Sequence, residues 1–520
     1  MDLDALSPEK RALVARILKE QGERYNHFPA SFAQARLWFI EQLNPGQATY
    51  NIPCALYLEG PLDIASLEWA FARIVERHDA LRTSFTAIDG VPLQVVHPRA
   101  ELHLEIEDRP TPVDRHDEVV VEAGTREGQR RFDLKKAPLI RAKVLRLSDN
   151  ASALLVVLHH IIADGWSVSL LFRELAELYA AHRSGRAPNL PALSIQYKDF
   201  AVWQRRTLQG ERLDAQLAYW RQRLSGIPEI AELPSDRPRR PRQQFAGRRK
   251  VTYLEPALAT AVRALCKAEE STLFVVGLAA FNVLLTRYTG QPEAVVGTTM
   301  ANRTRVEVEP LIGFFVNMAV LRTDCGDNPS FRDLLARVRT EALGIHAHQD
   351  LPFDILVNHL QPSRDLSRQP VFQVVFAVQN IPFGDMALAG LAARGVELDN
   401  GTAKWDLFVS LMDFGGRIRT TWEYDSDLFD DATIDRFAAS YARILQGVCA
   451  DPTQPILALP MASADERETV VDAWNRTAID VPIHSVIAEV EAWAAAQPET
   501  LALVSADQRL TYRELDEGAR

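Results

Sequence analysis

Apolar positions along this chain fall into runs that alternate between a strand-like and a helix-like period. Cys54 to Leu58, Ile140 to Leu147 and Ala153 to Leu158 read as strands, and Ile64 to His78 and Val168 to Ala181 as helices. In the second helix Leu170, Leu171, Leu175 and Leu178 form the inward stripe. Leu233-Pro234-Ser235-Asp236-Arg237-Pro238-Arg239-Arg240-Pro241-Arg242 interrupts the pattern as a proline- and arginine-rich linker. The alternation then resumes, with a helix over 271–285 capped by Ser271 or Thr272 and strands at 294–297, 372–378 and 407–412. This predicts an α/β protein without a glycine-rich phosphate loop. At the N-terminus an amphipathic helix is expected over 7–21, with Ser7 as cap, Leu13, Val14, Ile17 and Leu18 as stripe and Gly22 as stop. It is either packed on the domain or a docking element for an upstream protein.

With 520 residues the chain exceeds one ordinary core and should divide into two or three units. A hydrophobic content of 47% with 24% charged residues is that of a globular protein, and a net charge of −11 speaks against general nucleic-acid binding. Cys54, Cys266, Cys325 and Cys449 are scattered without CxxC spacing, which predicts reduced thiols and a cytoplasmic location. The acidic start Met1-Asp2-Leu3-Asp4 is no signal peptide, and the apolar stretch Leu273 to Leu285 is too short to span a bilayer.

The candidate chemistry lies at the end of the strand 153–158, in His159-His160-Ile161-Ile162-Ala163-Asp164-Gly165-Trp166-Ser167. Histidine is the side chain suited to proton transfer near neutrality. Adjacent strand residues point to opposite faces, and no HExxH spacing follows, so a metal site is not expected. Polar residues on a turn would be the alternative.

Read as His-His-x-x-x-Asp-Gly, residues 159–165 resemble the signature of the condensation domains of nonribosomal peptide synthetases. The stretch from Ser31 to Trp38 is similar to that family's first motif, Arg77 to Phe85 to its second and Tyr197 to Trp203 to its fourth. Ile312 to Asn317 resembles the fifth, with Met318 where threonine is usual, and His348 to Asp354 the sixth, with an aspartate where glutamate is more usual. Arg364 to Gln373 resembles the last. The motifs run in family order from about residue 25 to 450. The resemblance implies two chloramphenicol-acetyltransferase-like lobes forming a V-shaped pseudo-dimer with the active site between them. Expected boundaries are 1–24 for the N-terminal helix, 25–232 and 233–450 for the two lobes, 451–479 for a linker, and 480–520 for the truncated start of an adenylation domain. Leu501 to Val504 would be a strand of that domain and Leu510 to Leu515 the segment after it.

The implied reaction is amide formation between a donor acyl thioester and the amine of an aminoacyl group on an acceptor carrier protein. The chain itself would bind no cofactor; its substrates ride on phosphopantetheine arms or, for a starter-type domain, on acyl-CoA. If Met1 is the natural start, the starter type is favoured. Expected partners are the acceptor carrier, a downstream adenylation domain, and an upstream carrier or acyl-CoA as donor. His160 is the expected catalytic residue, as a base or a positioning group, and His159 supports the loop. Asp164 is expected to pair with an arginine, Arg82 first and Arg77 second. Gly165 leaves room for a thioester and offers its N–H to an oxyanion; Ser167 is expected to cap the next helix. Trp203 and Asn317 are read as packing or lobe-bridging residues. Asp413-Phe414-Gly415-Gly416 is read as a hairpin turn. The basic residues Arg237, Arg239, Arg240, Arg242, Arg248, Arg249 and Lys250 are either a solvated loop or an attractor for an anionic donor. An epimerase, a heterocyclising relative and a catalytically silent recruiting platform are the alternatives.

Overall fold

The computed structural model describes residues 26–43, 47–227, 233–360, 365, 367–379, 388, 390–480 and 485–520. The helix expected over 7–21 lies outside them, as do Arg364 and Leu366 of the last motif. The described residues up to Met461 form one compact unit and those from Ala462 another.

In the first half of the large unit the strands are β1 (Asn26–Pro29), β2 (Asn51–Glu59), β3 (Thr83–Ile88), β4 (Val91–Val96), β5 (Leu104–Asp108), β6 (Ile140–Ser148) and β7 (Ala151–His159). Its helices are α1 (Phe32–Leu43), α2 (Ile64–Arg77), α3 (His116–Gln129), α4 (Gly165–Arg183), α5 (Tyr197–Thr207) and α6 (Gly210–Leu224). The second half contributes β8 (Gly247–Tyr253), β9 (Glu293–Met300), β10 (Asn317–Asp324), β11 (Val374–Val378), β12 (Ala392–Val396), β13 (Leu407–Phe414) and β14 (Arg417–Asp425). Its helices are α7 (Pro256–Ala268), α8 (Leu273–Thr289), α9 (Phe331–Ala347), α10 (Phe353–Leu360) and α11 (Asp431–Ala450).

Two large mixed sheets organise the unit. The first has the order β12-β2-β7-β6-β5 and the second β10-β9-β11-β13-β14-β8; β1, β4 and β3 form a small antiparallel sheet. Every residue of β7 is buried, because it is flanked by β2 and β6 and covered on both faces. Such a strand reads as a continuous apolar run, which is why it was visible in the sequence.

The halves are not separated at the arginine-rich segment. β12 comes from the second half and pairs antiparallel with β2, closing the edge of the first sheet. Val308, Leu311, Ile312 and Phe315 pack into the core of the first half. The segment 233–242 is tied down: Arg237 pairs with Asp430, Arg239 with Asp406 and Arg240 with Asp427. A hydrophilic composition predicted a linker; specific carboxylates make it a packed strap.

The expected elements otherwise form, mostly with longer ends. The helix expected over 271–285 runs a turn further, from its Thr272 cap to Gly290, whose φ of 69° suits glycine. It is buried almost throughout, and no single described helix is long and apolar enough to cross a membrane. Asp413 to Gly416 turns β13 into β14, with positive φ at both glycines.

In β14, Ile418, Thr420, Trp422 and Tyr424 point to the helical layer, where Trp422 meets Tyr441 edge-on at 5.9 Å. The alternate residues Arg417, Arg419, Thr421 and Glu423 therefore face the other way. The loop 401–404 crosses beside this face and is fastened to the start of β8: Gly247 N donates to Gly401 O (2.9 Å) and Ala403 N to Phe245 O (3.0 Å).

The small unit holds a helix (Val486–Ala496), a hairpin (Leu501–Val504 with Arg509–Thr511) and a helix (Tyr512–Ala519) opened by a Thr511/Glu514 capping box.

A Cβ on Gly247 would lie 2.2 Å from the Thr402 carbonyl carbon, a backbone atom that cannot swing aside. Gly247→Ala is therefore expected to cost about 1–3 kcal/mol of stability and to displace the 401–404 loop. A denaturant midpoint equal to that of the unmodified protein would contradict this packing.

Candidate active site

At the end of β7 the chain leaves the sheet in a short 3₁₀ turn, His160–Ile162. Ile161, Ile162 and Ala163 are fully buried and anchor the turn, and Gln34 of α1 donates to the Ile161 carbonyl at 3.1 Å. His160 is left half-buried, its backbone N–H donating to Tyr50 O at 2.7 Å. Its Nδ1 donates to the Ala163 carbonyl at 2.8 Å. A carbonyl only accepts, so Nδ1 carries the proton and Nε2 keeps its lone pair. The edge-on Phe314 ring, 4.8 Å away, fixes the plane of the imidazole. Burial, aided by the charge of Lys404, pushes His160 down to about 3, so the ring is neutral near neutrality. His159 is buried and accepts from the Ile161 N–H through its Nδ1 (3.1 Å), with Phe132 packed edge-on. It shapes the turn and does not line the cavities around His160.

Asp164 has no exposed surface and is the N-cap of α4. Its Oδ1 accepts from Ser167 N (2.9 Å), Ser167 Oγ (2.8 Å) and Arg303 Nη2 (3.2 Å), and its Oδ2 from Phe315 N (3.0 Å). The arginine partner is thus Arg303, not Arg82 or Arg77. Each of those two has a nearer carboxylate: Arg82 pairs with Asp79 and donates to His97 O (2.6 Å), and Arg77 pairs with Glu174 at 3.1 Å. They brace the first half and stand outside the site. Arg303 also donates to Val308 O (2.6 Å), Leu311 O (2.8 Å) and Ser167 Oγ (2.9 Å), with its guanidinium 4.1 Å over Phe315. It lies 139 residues from Asp164 in sequence. Asn302-Arg303 at the end of a strand was its only local signal.

The segment 313–315 passes between α4 and α5 through this network. Ser167 Oγ lies 2.8 Å from Gly313 O and 3.1 Å from Gly313 N, and Tyr197 donates to Phe314 O at 2.6 Å. The cap of α4 is therefore Asp164 and not Ser167, which lies inside the first turn and bridges the halves. Trp203 bridges as well, with the Arg305 guanidinium 4.7 Å over its ring. Asn317 works within the second half, donating to Gln349 O (2.9 Å) and Leu351 O (2.7 Å) and accepting from Phe353 N (3.1 Å).

Two cavities meet at His160. One, of about 100 Å³, is reached past Ser31, Arg36, Tyr50 and Asp354; the other, of about 530 Å³, is lined by Thr49, Gly165, Trp166, Arg249 and Glu423 among others. His160, Thr299, Val316, Lys404 and Trp405 belong to both walls. Lys404 was not expected. Its ammonium sits 5.1 Å over the Tyr50 ring, and burial holds its pKa below the usual lysine range while raising that of Glu423. Gly165, at the first position of α4, lines only the larger cavity. The site can receive two substituents from two sides, with a neutral imidazole at their meeting point.

The condensation-domain family profile matches residues 24–471, and the chain belongs to that family. It is 42% identical over 522 residues to one of the linear gramicidin synthase proteins of Brevibacillus parabrevis, covering 98% of this chain but 10% of that protein. The chain thus spans a small part of the synthetases it resembles. The X-domain from teicoplanin biosynthesis superposes with a TM-score of 0.76 at 29% identity, covering 84% of this chain and 98% of that one. The first condensation domain of the CDA synthetase shares the fold at 21% identity, with a TM-score of 0.73 over 84% of this chain and 99% of that one. The fold is the two-lobed, chloramphenicol-acetyltransferase-like α/β architecture, and the chain is a nonribosomal peptide synthetase condensation domain. Condensation domains catalyse amide-bond formation, an acyltransferase reaction.

Because Asp164 and Arg303 are both buried, removing either alone strands the other charge. Asp164→Ala and Arg303→Met are each expected to cost about 3–5 kcal/mol, and the double variant less than their sum. Arg82→Met should leave the pair's coupling unchanged. Denaturant unfolding of the four variants checks this; additive losses for Asp164 and Arg303 would contradict it.

Proposed function

We propose that this chain joins a carrier-delivered acyl or peptidyl thioester to the α-amine of an aminoacyl group on an acceptor carrier, with His160 as the group that holds the amine. The observation that carries this reading is the open Nε2 lone pair of His160 in the wall shared by two cavities. The amine attacks the thioester carbonyl, the C–N bond forms, and the C–S bond breaks. The thiol leaves with the proton that the nitrogen gives up. An α-ammonium titrates near pH ~8, and an imidazole whose basicity is depressed by burial is a poor acceptor for its proton. The amine must therefore arrive neutral, and His160 accepts a hydrogen bond from it and aims its lone pair. Fixing two tethered reactants in this way supplies roughly 7–11 kcal/mol. The Gly165 N–H and the Lys404 ammonium are the donors for the developing oxyanion; His159, Asp164 and Ser167 hold the turn that presents His160.

A carrier-bound aminoacyl or peptidyl donor is favoured by the 41–42% identity to three linear gramicidin synthase proteins. The starter reading, with acyl-CoA as donor, drew on seven basic residues, five of which already have carboxylate partners. Arg237, Arg239, Arg240, Arg248 and Lys250 are paired with carboxylates of the second half. Residues 480–520 are the opening of an adenylation domain on this reading, with the strand 501–504 and the capped helix from Tyr512 as its first elements. A recruiting platform is the second reading, favoured by the likeness to the teicoplanin X-domain, which has been solved in complex with OxyB. Incubation with a loaded acceptor carrier and either an aminoacyl carrier or acyl-CoA, read by mass spectrometry, distinguishes the three. Product from the aminoacyl carrier is expected; product from acyl-CoA alone would assign the starter type, and none from either the platform.

His160→Ala is expected to slow amide formation by ~100-fold or more without lowering the melting temperature. A folded variant with undiminished rate would overturn the assignment. In the unmodified protein the rate should rise with pH as the acceptor amine deprotonates and level off near ~8, because His160 is already neutral throughout that range. An inflection near ~6.5 that vanishes in His160→Ala would instead make the ring a titrating base.

A further inference from the structure

A third cavity, of about 550 Å³, adjoins the His160 chamber and shares Pro53, Arg249, Gln379 and Leu398 with its wall. It lies where the outward face of β8, β13 and β14 meets β2 and β12 of the first sheet. Four arginines line it, Arg249, Arg394, Arg417 and Arg419, against one carboxylate, Glu397. In a protein of net charge −11 this is an unusual concentration of positive charge.

Two of the four, Arg394 and Arg419, are paired with carboxylates, and Arg249 and Arg417 have none at salt-bridge distance among the described residues. Arg394 pairs with Asp117, outside the lining, and lies 4.4 Å over Tyr57. Arg249 stands opposite Glu423 on the neighbouring strand and, among the described residues, donates to Leu398 O at 3.3 Å. Arg417 rests 5.9 Å over the Tyr253 ring, with no carboxylate at salt-bridge distance among the described residues. Arg419 reaches Glu397 through Nη1, while its Nε and Nη2 are buried without an acceptor among the described residues. Those two N–H groups form one edge of the guanidinium, the fork that accepts a carboxylate or phosphate in bidentate fashion. A desolvated fork without an acceptor is costly, and an anion that bridged it would recover that cost. Glu397, the carboxylate that Arg419 does reach, is nearly half exposed. Met412, Phe414 and Tyr253 supply apolar walls beside it, suited to a carbon chain that ends in a charge.

We propose that this cavity is a binding site for an anionic group carried by the donor, either a carboxylate on its acyl chain or the phosphate of its pantetheine arm. The assignment rests on the condensation reading for the identity of the donor. It extends that reading by giving the enzyme a preference among donors that the His160 turn cannot provide.

The test is a binding measurement, so it stands apart from turnover. Glutaryl and adipoyl thioesters of N-acetylcysteamine carry a carboxylate and no phosphate; pentanoyl and hexanoyl thioesters are their neutral counterparts; phosphopantetheine carries only the phosphate. Calorimetric titration of the full chain should show one of the two anions binding roughly tenfold or more tighter than the neutral thioesters. The preference should shrink with added salt and be lost in Arg419→Gln and in the exposed-site variant Arg417→Gln. Preference for the ω-carboxyacyl thioesters assigns the acyl chain, and tight phosphopantetheine binding assigns the arm. His160→Ala should keep the preference while losing amide formation, so failure of the condensation reading would show in turnover and not here. Equal binding of anionic and neutral probes, or a preference that survives in folded Arg417→Gln and Arg419→Gln proteins, would overturn the proposal.

Discussion

The buried contact between Asp164 and Arg303 is the constraint on which the site depends. Desolvating two charges is expensive, and the cost is offset only when each remaining hydrogen-bonding position is filled. Here Asp164 accepts four hydrogen bonds, from Ser167, Arg303 and Phe315, while Arg303 is anchored to the carbonyls of Val308 and Leu311. The same carboxylate caps α4, so one group sets the start of the helix, the turn that presents His160 and the path of the 313–315 segment from the other half. Gly313 is part of that fit, since a Cβ there would stand 1.9 Å from the Tyr197 ring.

Given this frame, the role of His160 follows from its surroundings. The Ala163 carbonyl selects the Nδ1–H tautomer, Phe314 fixes the ring plane, and burial keeps the imidazole uncharged. A ring so depressed in basicity is a poor proton store but a good hydrogen-bond acceptor, which suits a reaction whose electrophile is already an activated thioester. Lys404 adds a hydrogen-bond donor in the same wall, brought there by a loop that Gly247 allows to lie directly against β8.

Local signals made much of this legible in the sequence. The apolar run of β7 placed the histidines at a strand end, and the glycine pair at 415–416 marked a hairpin; a helix start was expected after the loop, but with Ser167 as its cap where Asp164 serves. What could not be read was anything that depends on distant pairing. Two arginines near a family motif seemed the natural partners for Asp164, but each is satisfied by a carboxylate close to it, and the true partner comes from the other half. The arginine-rich segment looked like a linker because composition does not reveal that Asp406, Asp427 and Asp430 await it. The crossing of β12 into the first sheet was hidden for the same reason: a five-residue edge strand with only intermittent burial has little periodicity of its own.

The central claim is that His160 is a neutral Nδ1–H imidazole with its Nε2 lone pair free, held so by the turn around it. Nitrogen-15 NMR of histidine-labelled protein reads both features directly. The account predicts a protonated Nδ1 and an unprotonated Nε2 for His160 that do not change between mildly acidic and mildly basic pH, in a signal assigned by its loss in His160→Ala. A ring that protonates near ~6.5, the ordinary value for histidine, or one that carries its proton on Nε2, would contradict it.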